Sequence, residues 1–341
     1  MMQAVASKEA LCPADAGAVY ASLVSTMTDD VGEQAELLGS VNRSYYQTGH
    51  GAFQGTYDNF SLPHIDYCRE WQSQPMLRCV KMPADLCTIF MPRSRMESMR
   101  VDVHELGVDC LGYQPRGGDF DLHSVAGSEV VYLAIDQRSF EAAAMTLDPE
   151  IWTGRVDQPL MLRVTDPARI VQMIDGAIAA APQWLASGVG ERWASDLSQA
   201  TLSALLNEVG QASDACCAKG RAELGRLHAQ RLARRARAII DEALHRRLTV
   251  LDLCHELGVS RRTLQDVFQR VLNMSPVAYL RMVRLHRARR ELRRPVSVQA
   301  SVGAIAARWG FMHPSQFSID YQRMFGELPS HTLKKALRQY Q

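Results

Sequence analysis

Two segments near the carboxyl-terminal end of the chain carry polar side chains at helical spacing. The first set is Arg261, Arg262, Gln265 and Gln269, and the second set is Ser315, Gln316, Ser318 and Ile319. Arg, Gln and Ser side chains form the hydrogen bonds that base edges offer in the DNA major groove, whereas Ile can only touch a thymine methyl group. The pattern therefore predicts two surfaces for contact with bases.

Apolar side chains at the same period form the opposite side of each segment. Phe317, Tyr321 and Phe325 recur every fourth residue, and Leu264 and Phe268 do so in the first segment. This spacing puts each group on one helix face. Two helices are predicted, each held to its domain by an apolar back and presenting a slim polar front.

The two helices belong to an internal repeat. A shift of 53 residues places Leu264 on Phe317 and Pro276 on Pro329, and a shift of 52 residues aligns the helices that precede them. In each copy a glycine, Gly258 in the first, ends the preceding helix. Each copy therefore reads as helix, tight turn, helix, the geometry that presents a second helix to the major groove.

An arginine-rich helix is predicted between the two copies. We expect Arg284, Arg287 and Arg289 to contact phosphates, which is the sequence-independent part of DNA binding. The alternative for any one of them is that its stem covers the core while its head group faces water.

The residues of this region resemble a known family. SPVAYLRMVRLHRARREL, then SVGAIAARWGF and SQFSIDYQRMFGELPS, is similar to the DNA-binding domain of AraC/XylS-type transcription regulators over about Ala238 to Arg338. The resemblance implies an all-helical domain that places both second helices in successive turns of the major groove. Members of the family commonly carry Arg where this chain has Ile319, so we expect the first helix pair to carry more of the base discrimination.

Charge divides the chain in two. From Arg234 to the end there are 20 Lys and Arg against 8 Asp and Glu, a net charge of +12, and the remainder carries 18 against 29, a net charge of −11. A basic region joined to an acidic one indicates a polyanion-binding module attached to a part with another task. The beginning of the sequence has no signal-peptide pattern, and no apolar run is long enough for a membrane span. We expect a cytoplasmic protein.

The acidic region contains short apolar or alternating runs bounded by turn residues. These runs are FQGTYDNFSL, IDYCREW, LRCVKM, LCTIFM, GDFDLHS and EVVYLAI. They predict antiparallel strands in a small barrel or sandwich, and the family resemblance implies a cupin-like barrel that senses a small molecule. From Asp166 to Val209 the period becomes helical, and these helices either form a dimer interface or pack on their own barrel.

The predicted fold class is α+β, with a β-rich cupin-like sensor domain, flanking helices and an all-α domain carrying two helix-turn-helix motifs. The predicted divisions are an N-terminal segment at 1–40, the β-rich sensing domain at 41–150, a helical dimerisation region at 151–212, a linker at 213–233 and the DNA-binding domain at 234–341.

No spacing in the chain predicts catalysis. His50, His64, His104 and His123 are scattered singly, without the paired histidines of metal-dependent cupins, so we expect no metal site, no cofactor and no enzymatic activity. The eight cysteines contain no CxxC pair and are expected to be reduced thiols, with a redox or metal sensor as the alternative.

The sequence as a whole predicts a sequence-specific, effector-responsive transcription regulator, an activator by family resemblance. The expected partners are promoter or operator double-stranded DNA, a small-molecule effector that remains unidentified, RNA polymerase and a second copy of the chain, with no membrane. Two alternatives stay open. One is a nonspecific architectural DNA-binding protein, and the other is an enzyme that uses the repeat to reach DNA.

Overall fold

The computed structural model describes residues 21–37, 41–93, 99–188, 190–214, 221–243, 248–295 and 299–338. The chain forms two compact units. The first unit comprises Met1–Tyr45 and Gln54–Cys217, and the second comprises Tyr46–Phe53 and Ala218–Gln341.

The first unit is built on antiparallel strands. They are β1 (Ser22–Thr28), β2 (Asn42–Gln47, which continues into the second unit), β3 (Gly55–Leu62), β4 (Ile65–Gln72), β5 (Met76–Lys81), β6 (Leu86–Pro92), β7 (Met99–Val101), β8 (His104–Leu106), β9 (Cys110–Gln114), β10 (Asp119–Ser124), β11 (Glu129–Asp136), β12 (Leu160–Arg163) and β13 (Ser213–Asp214). Within the described residues they form one sheet in the order β1-β3-β4-β11-β6-β9-β12-β13 and a second in the order β2-β5-β10-β7-β8.

Helices follow or flank these strands. They are α1 (Val31–Glu36), α2 (Gln137–Leu147), α3 (Pro149–Trp152), α4 (Pro167–Ala186) and α5 (Glu191–Gly210). Asp30, Asp136, Asp148 and Asp166 start the first four, because each carboxylate accepts a hydrogen bond from a backbone N–H of the first turn.

Two apolar cores follow from the alternation of side chains along the strands. One core lies between the two sheets, where the rings of Phe90 and Phe120 stack with centroids 5.0 Å apart. The other lies on the opposite face of the larger sheet, where Tyr67 and Leu133 belong to the same buried cluster as Ile174 of α4. The larger sheet is therefore covered on both faces, and only the first core is shared between sheets.

The predicted fold class is confirmed, since a β-rich region precedes an all-helical one. Each of the six predicted strand segments contains a strand. The structure adds strands that the alternation does not predict, among them β1 inside the predicted N-terminal segment and β12 inside the predicted helical region. β1 is missed because its side chains are half-exposed to exposed and include few large apolar groups, and β12 because it is only four residues long.

The second unit is helical in its carboxyl-terminal part. Its helices are α6 (Arg221–Glu242), α7 (Val250–Leu257), α8 (Arg261–Leu272), α9 (Pro276–Arg293), α10 (Val302–Arg308), α11 (Pro314–Phe325) and α12 (Pro329–Leu337). The predicted helix-turn-helix copies are α7–α8 and α10–α11. Helix α6 begins within the stretch predicted as a linker, of which residues 215–220 lie outside the described part of the chain.

Local capping explains where these helices begin and end. Gly258 ends α7 in the left-handed conformation with φ of 66°, and the Ser260 hydroxyl accepts from the Thr263 N–H at the start of α8. Left-handed Asn273 and Gly326 end α8 and α11. Pro276 and Pro329 therefore do not end those helices but occupy the first position of the next, where a missing N–H costs nothing.

The described cysteines include Cys68, Cys87 and Cys254, which are buried free thiols. Cys12, Cys216 and Cys217 lie outside the described residues. Over the part of the chain that the structure describes, no helix combines the length and the apolarity needed to cross a membrane.

Candidate nucleic-acid interface and ligand pocket

Helix α8 presents the predicted polar residues to solvent. The side chains of Arg261, Arg262, Gln265 and Gln269 are all exposed. Leu264 and Phe268 on the opposite side are completely buried. The amphipathic arrangement leaves the polar face of α8 open to contact a groove.

Helix α11 has the same arrangement with a less available front. Ser315 and Gln316 are exposed, Ser318 is half-buried, and 59% of Ile319 is exposed. The Gln316 side-chain amide donates to Asp320 over 2.9 Å, and the Ser318 hydroxyl donates to the Pro314 carbonyl over 3.0 Å. Two of the four predicted base-contact side chains thus already use a donor within their own helix.

The Asp320 carboxylate links α11 to the arginine-rich helix α9. It accepts from Gln316 and forms an ion pair with Arg281. Arg281 is half exposed, so its pairing is of the weak, solvent-screened kind. This pair ties the front of the second recognition helix to the helix between the two copies.

Arg287, one of the three predicted phosphate contacts, is engaged inside the second unit. Its Nη2 lies 3.0 Å from both the Ile240 carbonyl and the Asp241 carboxylate, and its guanidinium lies 5.8 Å from the centre of the Trp309 ring. Only 11% of its side chain is exposed. The head group is enclosed by partners from α6 and by Trp309, so the phosphate contact stays a prediction that requires Arg287 to leave these partners.

Arg289 is also engaged inside the second unit. Its side chain is 7% exposed, its Nη1 lies 2.7 Å from the Glu327 carboxylate, and its guanidinium lies 4.7 Å from the centre of the Phe325 ring. It also donates to the Tyr321 hydroxyl over 3.3 Å. Arg289 is thus a buried cross-link between α9, α11 and the turn after α11, and its phosphate contact stays a prediction.

Arg284 is half-buried, so part of its side chain still faces solvent, as a phosphate contact requires. Its Nη2 donates to the Leu248 carbonyl over 2.5 Å. It also lines an open groove together with Val277, Arg281 and Gln316. Of the three predicted phosphate contacts, Arg284 is the one whose surroundings remain compatible with that role.

The interior of the first unit contains a polar cluster that the sequence did not predict. Strands place side chains on one face at every second residue. Each inward position therefore pairs with another two residues away: Arg43 with Tyr45, Cys68 with Glu70, Arg78 with Val80, Phe120 with Leu122, and Val130 with Tyr132. These residues lie between the two sheets, and most of them line a small pocket of about 30 Å³.

Glu70 is the centre of this cluster. Its carboxylate accepts from the hydroxyls of Tyr132 over 2.7 Å and Tyr45 over 3.1 Å. Arg43 and Arg78 each lie 3.5 Å from it. The side chains of Glu70 and the two arginines are 1%, 7% and 2% exposed, so the whole cluster is withdrawn from water.

Burial sets the protonation of the cluster. Burial and the Glu70 carboxylate together raise the pKa of Tyr45 to about 12, and burial also raises the pKa of Tyr132 above its usual value. Burial opposes the charge of Arg43, but Tyr45, Tyr132 and Glu70 outweigh it and raise the pKa of the guanidinium. Near neutral pH both phenols are therefore hydrogen-bond donors, and Arg43 is a cation.

Comparison with known proteins identifies the carboxyl-terminal region. A family model described as a helix-turn-helix domain matches residues 253–335. This range contains α8, α9, α10 and α11, with both turns of the repeat. Residues 253–335 are an AraC-type helix-turn-helix domain. The resemblance seen in the sequence is confirmed for this region.

Two curated relatives match the AraC-type domain. A probable thc operon regulatory protein of Rhodococcus erythropolis is 39% identical over 87 residues, which cover 26% of this chain and 26% of that protein. An XylDLEGF operon transcriptional activator of Pseudomonas putida is 32% identical over 100 residues, or 29% of this chain and 31% of that protein. The chain thus matches between a quarter and a third of the length of these relatives.

One solved structure aligns with a larger share of the chain. The crystal structure of the AraC-like transcriptional activator CuxR is 14% identical and covers 78% of this chain and 96% of that one, with a TM-score of 0.41.

A short segment from the amino-terminal half of the sequence completes the second unit. The Gly51 N–H donates to the Arg323 and Met324 carbonyls over 3.1 and 3.2 Å, and the Gln47 side-chain amide donates to Met324 over 2.8 Å. The last carbonyls of a helix have no partner within it. Residues 46–53 therefore cap the carboxyl-terminal end of α11, the second recognition helix of the AraC-type domain.

The same segment is anchored to α9. The Tyr46 ring meets the rings of Tyr279 and His286 edge-on, with centroids 6.2 and 5.5 Å apart. His286 Nε2 lies 3.1 Å from the Gln47 carbonyl. No local pattern in the sequence indicates this arrangement, because its partners are more than 200 residues away along the chain.

The Gly326→Ala substitution tests whether the segment supports the end of α11. Gly326 has φ of 75°, and a Cβ there would lie 2.7 Å from the Ala52 nitrogen. We expect Gly326→Ala to lower the free energy of unfolding by about 2–3 kcal/mol, because it adds a steric conflict to the cost of about 1–2 kcal/mol for a left-handed Ala. Chemical denaturation monitored by circular dichroism measures the loss.

Gly258→Ala is the matched control for this prediction. Gly258 ends α7 in the same left-handed conformation, with φ of 66°, but a Cβ there would meet nothing within 4 Å. It should therefore lose only the conformational part, about 1–2 kcal/mol. Equal losses for the two variants would show that residues 46–53 do not support α11.

Proposed function

We propose that this chain is a sequence-specific transcription regulator, an activator that responds to a small-molecule effector. The observation that carries the proposal is the pair of helices, α8 and α11, that each bury an apolar face and leave a polar face open in an AraC-type domain. The names of the two curated relatives, a regulatory protein and a transcriptional activator, support the same role. The proposal assigns no catalytic activity to the chain.

The base-contacting residues of the proposal lie on the polar faces of the two helices, and all are exposed except Ser318, which is half-buried. They are Arg261, Arg262, Gln265 and Gln269 on α8, with Ser315, Gln316, Ser318 and Ile319 on α11. Because the donors of Gln316 and Ser318 are partly used within α11, α8 contributes more of the discrimination between sequences. Arg284 supplies a phosphate contact that fixes register without reading sequence.

The remaining parts of the proposal concern partners. Promoter DNA binds to the AraC-type domain, and RNA polymerase is contacted by the activator when it is bound there. Helices α4 and α5 form the interface with a second copy of the chain. The protein acts in the cytoplasm, where its cysteines stay reduced.

Effector response is supported by the path of β2. Arg43 and Tyr45 on this strand line the polar pocket, and the chain then continues directly into residues 46–53, which cap α11. A ligand that changes the position of Arg43 acts on the same strand that ends at this cap. Binding in the pocket then shifts a conformational equilibrium of the DNA-binding surface by its differential affinity for the two states.

Footprinting on the DNA upstream of the chain's own gene tests the proposal. At fixed physiological salt, we expect protection of about two helical turns per protomer, with preference over a scrambled sequence. Salt must be fixed because nonspecific affinity depends steeply on it. Equal binding to both DNAs, with and without candidate effectors, would instead indicate a nonspecific architectural protein, and no binding at any salt would contradict both.

A further inference from the structure

The side-chain amide of Gln316, on the polar face of α11, is held in one orientation. Its Nε2 donates to Oδ1 of Asp320 over 2.9 Å, and Oδ2 of the same carboxylate forms the ion pair with Nη2 of Arg281. A carboxylate accepts hydrogen bonds and, while ionised, cannot donate one. Asp320 therefore holds the NH2 end of the amide and not the carbonyl end, so Oε1 of Gln316 is turned away from it.

The part of the amide that remains for DNA has one acceptor and one donor. An amide side chain carries two N–H groups and one carbonyl oxygen, and Asp320 takes one of the N–H groups. In the major groove adenine offers its N6 amino group as a donor and N7 as an acceptor, whereas guanine offers two acceptors, N7 and O6. The exposed Gln316 side chain is thus complementary to adenine, and against guanine its Oε1 would face another acceptor.

Asp320 is what prevents Gln316 from adapting to guanine. A glutamine without such a restraint can turn its NH2 group toward guanine and offer both N–H groups. Here that turn would break a hydrogen bond to a carboxylate of which 13% is exposed, and hydrogen bonds to charged groups are among the costlier ones to lose. Asp320 is therefore a positioning residue, which acts on the base through Gln316.

Arg281 allows a carboxylate to lie at this place. A negative charge beside DNA is repelled by the phosphates, and the ion pair with Arg281 compensates that charge. In the free protein the pair is weak, since Arg281 is half exposed. When DNA displaces water from this surface, the effective dielectric constant falls and the attraction becomes stronger. The restraint on Gln316 is therefore firmest in the bound state.

Ile319 adds an apolar group to the same face of α11. It lies three residues after Gln316 and is 59% exposed, and side chains at this spacing are about 5–6 Å apart on a helix. The apolar group that base pairs offer in the major groove is the thymine methyl. Since successive base pairs are about 3.4 Å apart, a thymine that meets Ile319 lies about one or two base pairs from the base that meets Gln316.

We propose that α11 selects A·T base pairs. Gln316 pairs with N6 and N7 of an adenine, Ile319 contacts the methyl group of a nearby thymine, and Asp320, compensated by Arg281, excludes guanine. The proposal deepens the proposed function by naming the bases that the second recognition helix reads, and it rests on that function. Helix α8 instead exposes two arginines at its start, and Arg is the side chain that matches guanine. The two halves of the site of one protomer therefore differ in composition.

Selection of binding sites from random duplex DNA tests the proposal, with the full-length protein at fixed salt. The position that loses its preference in Gln316→Ala is the one that Gln316 reads. We expect an A·T pair there, favoured over G·C by about 5–150-fold, the range for one paired base contact. A G·C pair at that position, or a selected site in which no position depends on Gln316, would overturn the proposal and leave the proposed function standing. Failure to enrich any sequence would remove both.

Modified bases in the selected duplex identify the contacting atoms. Replacing the adenine with 7-deazaadenine removes N7 and should weaken binding of the wild type about two- to tenfold, the worth of one hydrogen bond, with no effect on Gln316→Ala. Replacing the thymine with uracil removes its methyl group and should weaken binding about two- to fourfold, with no effect on Ile319→Ala. Losses as large in the variants as in the wild type would contradict both contacts.

Asp320→Asn tests the positioning role. Asparagine keeps the shape but can both donate and accept, so Gln316 can turn either end outward and the preference for adenine over guanine should fall several-fold. Asp266→Asn is the matched control, because it removes the same charge from the exposed side of α8 and should leave that preference unchanged. If Asp320→Asn lowers Tm or weakens all duplexes equally while the ratio of adenine to guanine stays at the wild-type value, Asp320 has a structural role and the proposed positioning is wrong.

Discussion

Replacing Arg289 with alanine is expected to lower the free energy of unfolding of the second unit by about 2–3 kcal/mol, slightly less than breaking a fully buried ion pair, because Glu327 is 32% exposed. The loss arises because Glu327 and the Tyr321 hydroxyl lose the Nη1 group that contacts both. It also arises because the stem and guanidinium that cover Phe325 are removed. Urea unfolding followed by far-ultraviolet circular dichroism measures the change.

The matched control is Arg290→Ala, one residue further along α9. Arg290 is exposed, so its removal should change the free energy of unfolding by less than about 0.5 kcal/mol. The salt dependence of DNA binding gives a second readout, measured below the temperature at which Arg289→Ala unfolds. If Arg289→Ala is as stable as the wild type and lowers the salt slope by about one unit, Arg289 contacts phosphate after all.

The enclosure of Arg289 shows which information the sequence does hold. Arg289 follows the buried Met282 by seven residues and Leu285 by four, so it lies on the buried face of α9. Helical periodicity therefore indicates that the position is enclosed, although residue type favours an exposed Arg. Its partner Glu327 is 38 residues away and on another element, and no local pattern indicates that such a partner exists.

The recognition helices could be predicted because the features that define them are local in the sequence. The apolar backs of α8 and α11 and the caps at Gly258 and Ser260 are local features that depend on spacing of a few residues. The internal repeat shows the helix-turn-helix pattern twice, so each copy supports the prediction of the other. The AraC-type domain could thus be read from one sequence, whereas the segment at 46–53 that caps α11 could not.

The polar pocket is an intermediate case. Glu70 lies two residues from Cys68, and Arg78 lies two residues from Val80, so strand alternation places both charges on the inner face. Two charged residues in phase with buried ones, on neighbouring predicted strands, indicate a buried polar site. Arg43, which contacts Glu70, lies on β2. The sequence does not predict β2 as a strand, because its one apolar pair, Tyr45 and Tyr46, does not alternate.

Arg262→Ala should weaken binding to the cognate DNA by about 1–3 kcal/mol while leaving binding to unrelated DNA nearly unchanged, and Gln265→Ala should do the same. Both side chains are exposed on the open face of α8, and Arg and Gln form paired hydrogen bonds with guanine and adenine. Neither substitution removes a buried group, so both variants should unfold at the wild-type Tm. Fluorescence anisotropy with native and scrambled upstream DNA at fixed salt measures the ratio of affinities.

Ile319→Ala is the matched control on the other recognition helix. Ile319 is 59% exposed and has no hydrogen-bonding group, so its removal can cost at most a contact with a thymine methyl group. The ratio of native to scrambled affinity should therefore change much less than in Arg262→Ala. If Arg262→Ala and Gln265→Ala weaken both DNAs equally while Ile319→Ala lowers the ratio, α11 reads the bases and α8 holds the backbone.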